Sequence, residues 1–250
     1  LHNATLLHDD VADDSPTRRG RPTVMSLLGG RASVLLGDYW LVKAIDNVLV
    51  NKTSSSEVIK VFSRTLADLA EGEILQLQKA DLGDTAENDY YRIIFNKTAS
   101  LFVTSAESAA ISVSASAEKM KAVKSYAEYL GIAFQIRDDI FDYEENPDTG
   151  KPVGLDLKEK KITLPLLGAL KNASEEEAKD IRRKVCRIDE HPEWQKEIVE
   201  FVHRNGGLEY ARKRLYEYVE RAKLSLRPLG KSEDADKLAD IAEFTADRKS

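Results

Sequence analysis

Two aspartate clusters stand out in this sequence of 250 residues. Asp9-Asp10-Val11-Ala12-Asp13 and Asp138-Asp139-Ile140-Phe141-Asp142 share the form DDxxD. On a helix, positions i and i+4 differ by only about 40° of rotation. Asp9 and Asp13 therefore share a face, and so do Asp138 and Asp142. Like charges at that spacing repel and destabilise a helix. A divalent cation would offset the repulsion. Mg²⁺ suits the donors, because it prefers oxygen and is held by one or two carboxylates together with water and phosphate oxygens. Two such clusters facing each other would hold a diphosphate between them through bridging metals. One cluster alone reads equally well as a solvated acidic face. Both, however, follow apolar runs at residues 4–7 and 132–136. Buried carboxylates without partners are costly, so the pair argues for metal binding.

Basic residues stand where they could complete such a site. Arg18-Arg19-Gly20-Arg21 follows the first cluster, and arginine forks bind phosphate oxygens with paired hydrogen bonds. Lys97-Thr98-Ala99 combines an ammonium with a hydroxyl. Lys151 and Lys161 lie in and at the end of the irregular stretch after the second cluster, which could act as a lid. Each of these taken alone is ordinary surface charge. Their common association with the two acidic clusters gives them weight.

The elements that must carry these groups read as helices. Apolar residues recur at helical spacing in Val34, Leu35, Tyr39, Val42 and Ile45, and again in Tyr126, Leu130 and Phe134. Period-two alternation is nowhere sustained. The pattern predicts an all-α domain of about eight to ten helices. Gly29-Gly30 and Gly206-Gly207 mark breaks, residues 15–22 form a turn-rich basic stretch, and residues 143–163 form one long loop. No solenoid repeat is present.

Composition narrows the function. Hydrophobic residues make up 42% and charged residues 32%, as in a soluble globular chain. The net charge of -6 argues against a nucleic-acid partner, which would need a basic face. The single cysteine, Cys186, excludes an internal disulfide and fits a reducing, cytoplasmic setting. No run approaches the roughly 18 apolar residues of a transmembrane segment, and no signal peptide is visible. The sequence opens at Leu1 inside an apolar run, which suggests residues upstream.

In this order the motifs resemble the trans-prenyltransferases, the polyprenyl (isoprenyl) diphosphate synthases. Residues 6–13 with Arg18-Arg19-Gly20 are similar to the family's first aspartate-rich motif. Gly37-Asp38, Gly72-Glu73, Lys97-Thr98-Ala99, the run from Gly131 through Phe134-Gln135 to Asp142, the run from Gly150 to Asp156, and Lys161-Ile162-Thr163-Leu164-Pro165 follow in the family's order. Two features depart from it. The family's N-terminal helices, with their Gly-Lys-x-x-Arg motif, have no counterpart. Lys160 stands where the family usually has glycine, a change expected to stiffen the loop.

The resemblance implies a single domain over residues 1–250: an antiparallel helical bundle of the isoprenoid synthase type with a central active-site cavity. It implies Mg²⁺, or Mn²⁺ in its place, on Asp9, Asp13 and Asp138, supported by Asp10, Asp139 and Asp142. Arg18, Lys97, Thr98, Gln135, Lys151 and Lys161 would hold the allylic diphosphate. Arg19 and His2 would contact isopentenyl diphosphate. Asp9, Asp13, Asp138, Lys97 and Lys151 would carry the catalytic load, by neutralising the diphosphate as it leaves. The allylic cation is then attacked by the alkene of isopentenyl diphosphate, and no side chain need act as a nucleophile. His8 reads as structural.

Ala4 and Thr5 lie one turn before Asp9, where a bulky aromatic residue closes the pocket in short-product members of the family. Both are small here, which implies a medium or long product of the octaprenyl class. A deeper floor at Trp40 or Phe102, and a tunnel wall of small residues along 99–117, are further expectations. The alternatives are a short-chain (C15 or C20) synthase, a terpene cyclase, a non-catalytic helical subunit of a prenyl synthase, and a plain helical scaffold. An all-aspartate second cluster disfavours the cyclase, and retention of both the metal and the basic sets disfavours the subunit. The family is usually homodimeric, and its primers are farnesyl or geranyl diphosphate.

Overall fold

The computed structural model describes residues 1–18, 20–50, 55–144 and 153–248. Arg19 and Lys151 therefore lie outside the described residues. In chain order the elements are α1 (His2–Ala12), β1 (Thr17–Arg18), β2 (Arg21–Pro22), α2 (Val24–Leu28), α3 (Gly30–Val50), α4 (Ser55–Leu82) and α5 (Glu87–Ile94). A π-helical turn (Phe95–Ala99) leads into α6 (Ser100–Ser112) and α7 (Ala117–Phe141). Then come α8 (Leu155–Lys158), α9 (Leu164–Asn172), α10 (Glu175–Cys186), α11 (Trp194–Arg204), α12 (Gly207–Ser225), a 3₁₀ turn (Arg227–Leu229) and α13 (Glu233–Asp247).

The all-α expectation holds, with two corrections. Among the described residues there are thirteen α-helices rather than eight to ten. The excess comes from single-turn helices such as α2 and α8, too short to show periodicity, and from the π turn that divides α5 from α6. The basic stretch closes as a two-residue antiparallel ladder, with Thr17 opposite Pro22 and Arg18 opposite Arg21. The chain divides into two compact units, residues 1–64 and 65–250.

In the first unit α1 lies against α3 along a seam of small residues. Gly30, Ser33 and Gly37 fall at i, i+3 and i+7 of α3, so they share a face. The Ser33 hydroxyl, fully buried, donates to the Leu7 carbonyl at 2.8 Å. A side chain at Gly37 would come within 2.4 Å of His8 Nε2. His8 is also 3.1 Å from Asp38 Oδ1 and 3.3 Å from the Val34 carbonyl. His8 is thus structural, as expected, and Gly37-Asp38 is its receptor. The seam fixes the helix that carries the first aspartate cluster.

The second unit is organised by α7. Ala122, Tyr126, Leu130, Ala133, Ile136 and Ile140 are all buried along it. Helices α6, α9, α12 and α13 pack around it. Helix α9 is apolar on every side and buried from Leu164 to Leu170. Ser116, Ser174 and Ser232 cap α7, α10 and α13 by accepting from Lys119, Glu177 and Ala235 N–H groups. Glu175, Glu176 and Glu177 then complement the positive end of α10.

Small residues again set the closest approach. A side chain on Gly131 would stand 2.6 Å from the Cα of Ala99, so α7 crosses the π turn nearly backbone to backbone. The expected wall of small residues along 99–117 is not one helix. It ends at Ser112, turns through Ser114 with φ of 51°, and restarts as α7. Phe102 packs on Phe134 with ring centroids 5.6 Å apart. Trp40 is 48% exposed. Replacing Gly131 with alanine forces the π turn off α7. Chemical denaturation should show a loss of about 1–3 kcal/mol.

Candidate active site

The π turn presents Lys97 and Thr98. Such turns insert one residue into a helix and recur at functional sites. The turn is held from two sides. Gly72 of α4 passes so close that a side chain there would meet Asn96 and Lys97 at 2.7–2.9 Å. Next to it, the Glu73 carboxylate pairs with Lys97 Nζ. The Gly72-Glu73 element is therefore the seat and tether of Lys97. On the α7 side, the Thr98 hydroxyl donates to Gln135 Oε1 at 2.7 Å.

Gln135 passes the connection on to the second aspartate cluster. Its amide nitrogen donates to Asp139 Oδ1 at 2.9 Å. The Tyr90 hydroxyl donates to Asp139 Oδ2 at 2.6 Å. Asp139 is only 3% exposed. Burial, together with the charge of Asp156, pushes its carboxyl well above the usual carboxylate range.

Asp142 faces elsewhere. Its two oxygens accept the N–H groups of Leu155 and Asp156 at 2.8 and 3.1 Å, and its carbonyl accepts from Gly154 at 2.7 Å. It thus anchors the start of α8. Burial and Asp156 raise its carboxyl to about 7. Asp156 itself is raised by burial, with the nearby Lys161 opposing the shift. The Asp138 side chain is 40% exposed, against 3% for Asp139, and it pairs with Arg248.

A cavity of about 180 Å³ lies within the second unit. Lys97, Thr98, Gln135, Asp139 and Lys161 line it. Five of the residues singled out from sequence are therefore brought together here. Asp138 and Asp142 do not line it. Isoleucines 93, 94 and 162 supply an apolar wall. Lys79 and Lys160 add two cations. Lys79 is tethered to Asp84 and Asp89 at 3.0 and 2.9 Å, and Lys160 to Asp189 at 2.9 Å. Several ammonium groups thus converge on one concave, partly apolar site.

Lys160 corrects a sequence expectation. It adopts φ of 56°, the left-handed region that favours glycine. The residue bears backbone strain rather than simply stiffening its loop. The long loop is also interrupted by α8.

In the first unit Asp10 is 5% exposed and paired with Arg18, whose Nε donates to Oδ1 at 2.7 Å. Asp9, Asp13 and His2 are exposed. Ala4 and Thr5 are buried, at 2% and 9% exposure, and the Thr5 hydroxyl donates to the His2 carbonyl at 2.8 Å.

Comparison with known proteins decides the identity. Residues 1–202 match the polyprenyl synthetase family model. The sequence is 39% identical to an all-trans-nonaprenyl-diphosphate synthase (geranyl-diphosphate specific) of Rhodobacter capsulatus, over 99% of this chain and 75% of that one. The chain belongs to the polyprenyl synthetase family. It is also 36% identical to the octaprenyl diphosphate synthase of Escherichia coli, over 99% of this chain and 76% of that one. The crystal structure of a decaprenyl diphosphate synthase from Rhodobacter capsulatus superposes with a TM-score of 0.91 at 35% identity, covering 100% of this chain and 76% of that chain. The chain is thus a prenyl-transferring enzyme of the isoprenyl diphosphate synthase fold, as the motif order implied.

Two residues that line this cavity were not singled out from sequence. Tyr90 carried no signal, since a tyrosine on the apolar face of α5 looks like any core aromatic. Asp156 was visible in its motif but received no role. Removing the Tyr90 hydroxyl leaves Asp139 with one donor fewer in a buried place. Tyr90→Phe should cost about 1–3 kcal/mol in thermal or chemical unfolding and lower kcat, with the fold retained by circular dichroism.

Proposed function

We propose that the chain condenses isopentenyl diphosphate head to tail onto an allylic diphosphate, farnesyl or geranyl, and extends it to a medium- or long-chain all-trans polyprenyl diphosphate. The convergence of Lys97, Thr98, Gln135 and Lys161 on one cavity beside Asp139 carries the reading. Lys97 and Lys161 hold the allylic diphosphate, with Lys151 and Arg18 adding charge. Arg19 and His2 serve isopentenyl diphosphate. The isoleucine wall takes the first part of the prenyl chain and keeps water from the cationic carbon.

The donor set suits Mg²⁺. It offers oxygen only, and burial together with neighbouring negative charge raises the carboxyls of Asp139, Asp142 and Asp156, which a bound cation would reverse. Among the described residues no three acidic, histidine or cysteine side chains form a cage. Asp9, Asp13 and Asp138 are the proposed ligands, with Asp10, Asp139 and Asp142 in support. When bound, the ion neutralises charge on the departing diphosphate. The lysines act in the same sense, and because carboxylates already hold them in place, little ordering remains to be done at the moment of reaction.

Ala4 and Thr5 are proposed to set product length. Both are small and buried, so the space against α1 is decided by their size. A second copy of the chain is the proposed partner of α3. Leu35, Tyr39, Val42 and Leu49 recur at i, i+4, i+7 and i+14 on that helix and are 55–68% exposed.

A product assay tests the reading. The chain, Mg²⁺, farnesyl diphosphate and labelled isopentenyl diphosphate should give a ladder ending at C25 or beyond, and chelation should abolish it. Ala4→Tyr should shift the ladder toward shorter products. An unchanged ladder would remove Ala4 from length control. Lys97→Ala should lower kcat/KM by about 10²-fold, in the range seen when one charge-stabilising donor is removed.

A further inference from the structure

The segment just past α13 ends on the second aspartate cluster, and nothing in the diphosphate site accounts for it. Arg248 follows Asp247, the last residue of α13. Its Nη2 donates to Oδ1 of Asp138 and, at 3.1 Å, to the carbonyl of Phe134. Its Cζ lies 4.1 Å from the centroid of the Phe134 ring and 5.3 Å from that of Phe141. Its own carbonyl accepts from Nε and Nη2 of Arg137 at 3.2 and 2.9 Å. Main chain and side chain are thus both fastened to the last two turns of α7.

This is not a loose surface ion pair. Only 12% of the Arg248 side chain is exposed. Two aromatic faces and a carboxylate surround the guanidinium, an arrangement that favours a cation withdrawn from water. The docking is nevertheless incomplete. Nε of Arg248 is buried without a hydrogen-bond partner among the described residues. A buried donor left unpaired is a cost that release would recover.

The acceptor is the informative part. Asp139 is engaged by Tyr90 and Gln135, and Asp142 by the start of α8. The Asp138 side chain is 40% exposed, and a guanidinium already occupies one of its oxygens.

We propose that Arg248 is a latch on Asp138: its guanidinium neutralises the carboxylate while no divalent cation is bound, and a cation binding at Asp138 displaces it and frees the chain beyond α13. The inference rests on the reading of Asp138 as a cation ligand. Cation binding and release of the segment are then linked, and each must favour the other.

Limited trypsin digestion of the full chain, followed by mass spectrometry, tests it at the Arg248–Lys249 bond. A docked arginine cannot enter the protease pocket. Mg²⁺ alone should speed this cut by about fivefold or more, because cleavage follows the population of the open form. Asp138→Asn should be cut quickly with or without Mg²⁺. Arg248→Met keeps an apolar stem on the two rings and removes the competing charge. By calorimetry with Mn²⁺ alone it should bind the metal about three- to tenfold more tightly than the parent chain. Unchanged cleavage with Mg²⁺, while Mn²⁺ binding still depends on Asp138, would overturn the latch and leave the metal reading intact. Weaker Mn²⁺ binding by Arg248→Met would also overturn it, since Arg248 would then organise Asp138 rather than compete for it. Mn²⁺ binding that ignores Asp138→Asn would remove the metal reading and the latch together.

Discussion

Crowded negative charge at the end of α7 is the constraint around which the second unit is arranged. Asp138, Asp139, Asp142 and Asp156 fall within a short span of space, and three of them are pushed toward protonation by burial and by one another. An isolated carboxylate in such a place would be prohibitively costly. Each is given its own form of relief. Asp139 receives two neutral donors, Asp142 receives the backbone N–H groups that begin α8, Asp156 lies near Lys161, and Asp138 receives a guanidinium. The relief is incomplete by design of the donors: neutral hydrogen bonds do not cancel charge. A divalent cation taking these carboxylates, as proposed above, would meet the demand that neutral donors leave.

Precision in this arrangement comes from the absence of side chains. Where Gly37 meets His8, Gly72 meets Lys97 and Gly131 meets Ala99, the helices approach more closely than a methyl group would permit. Close approach converts helix position into side-chain position. Lys97 points where it does because two neighbouring helices trap its backbone, and the Glu73 tether then removes most of its remaining freedom. A flexible lysine, which would otherwise sample many rotamers, is held in one place.

The sequence made some of this legible and hid the rest, for physical reasons. DDxxD spacing places charges on one helical face whatever the surroundings, so Asp138 and Asp142 could be found from spacing alone. Lys97-Thr98, Gln135 and Lys161 were legible only through motif order, because a single lysine or glutamine carries no sign of its neighbours. What Asp142 does could not be read. Its role depends on Leu155, thirteen residues further along the chain, donating its N–H to it. Tyr90 was invisible, since its apolar ring satisfies the periodicity and its hydroxyl does the work. Arg248 was equally hidden, more than a hundred residues from the aspartate it contacts. The π turn left no trace in the hydrophobic pattern, and the sequence did not show that Lys160 would take the left-handed conformation that glycine favours.

That π turn has a consequence for how this segment can vary. A regular helix through residues 95–99 would have one residue fewer per turn of irregularity, and removing one residue rotates everything beyond it by about 100°. Lys97 sits inside the irregularity, with Thr98 and Ala99 bound to α7 on its far side. Residue identities around the turn can drift as long as their sizes are respected. The count of residues between Tyr90 and Ala99 cannot. In a lineage of such proteins, insertions and deletions should collect in the connections and leave this stretch at constant length.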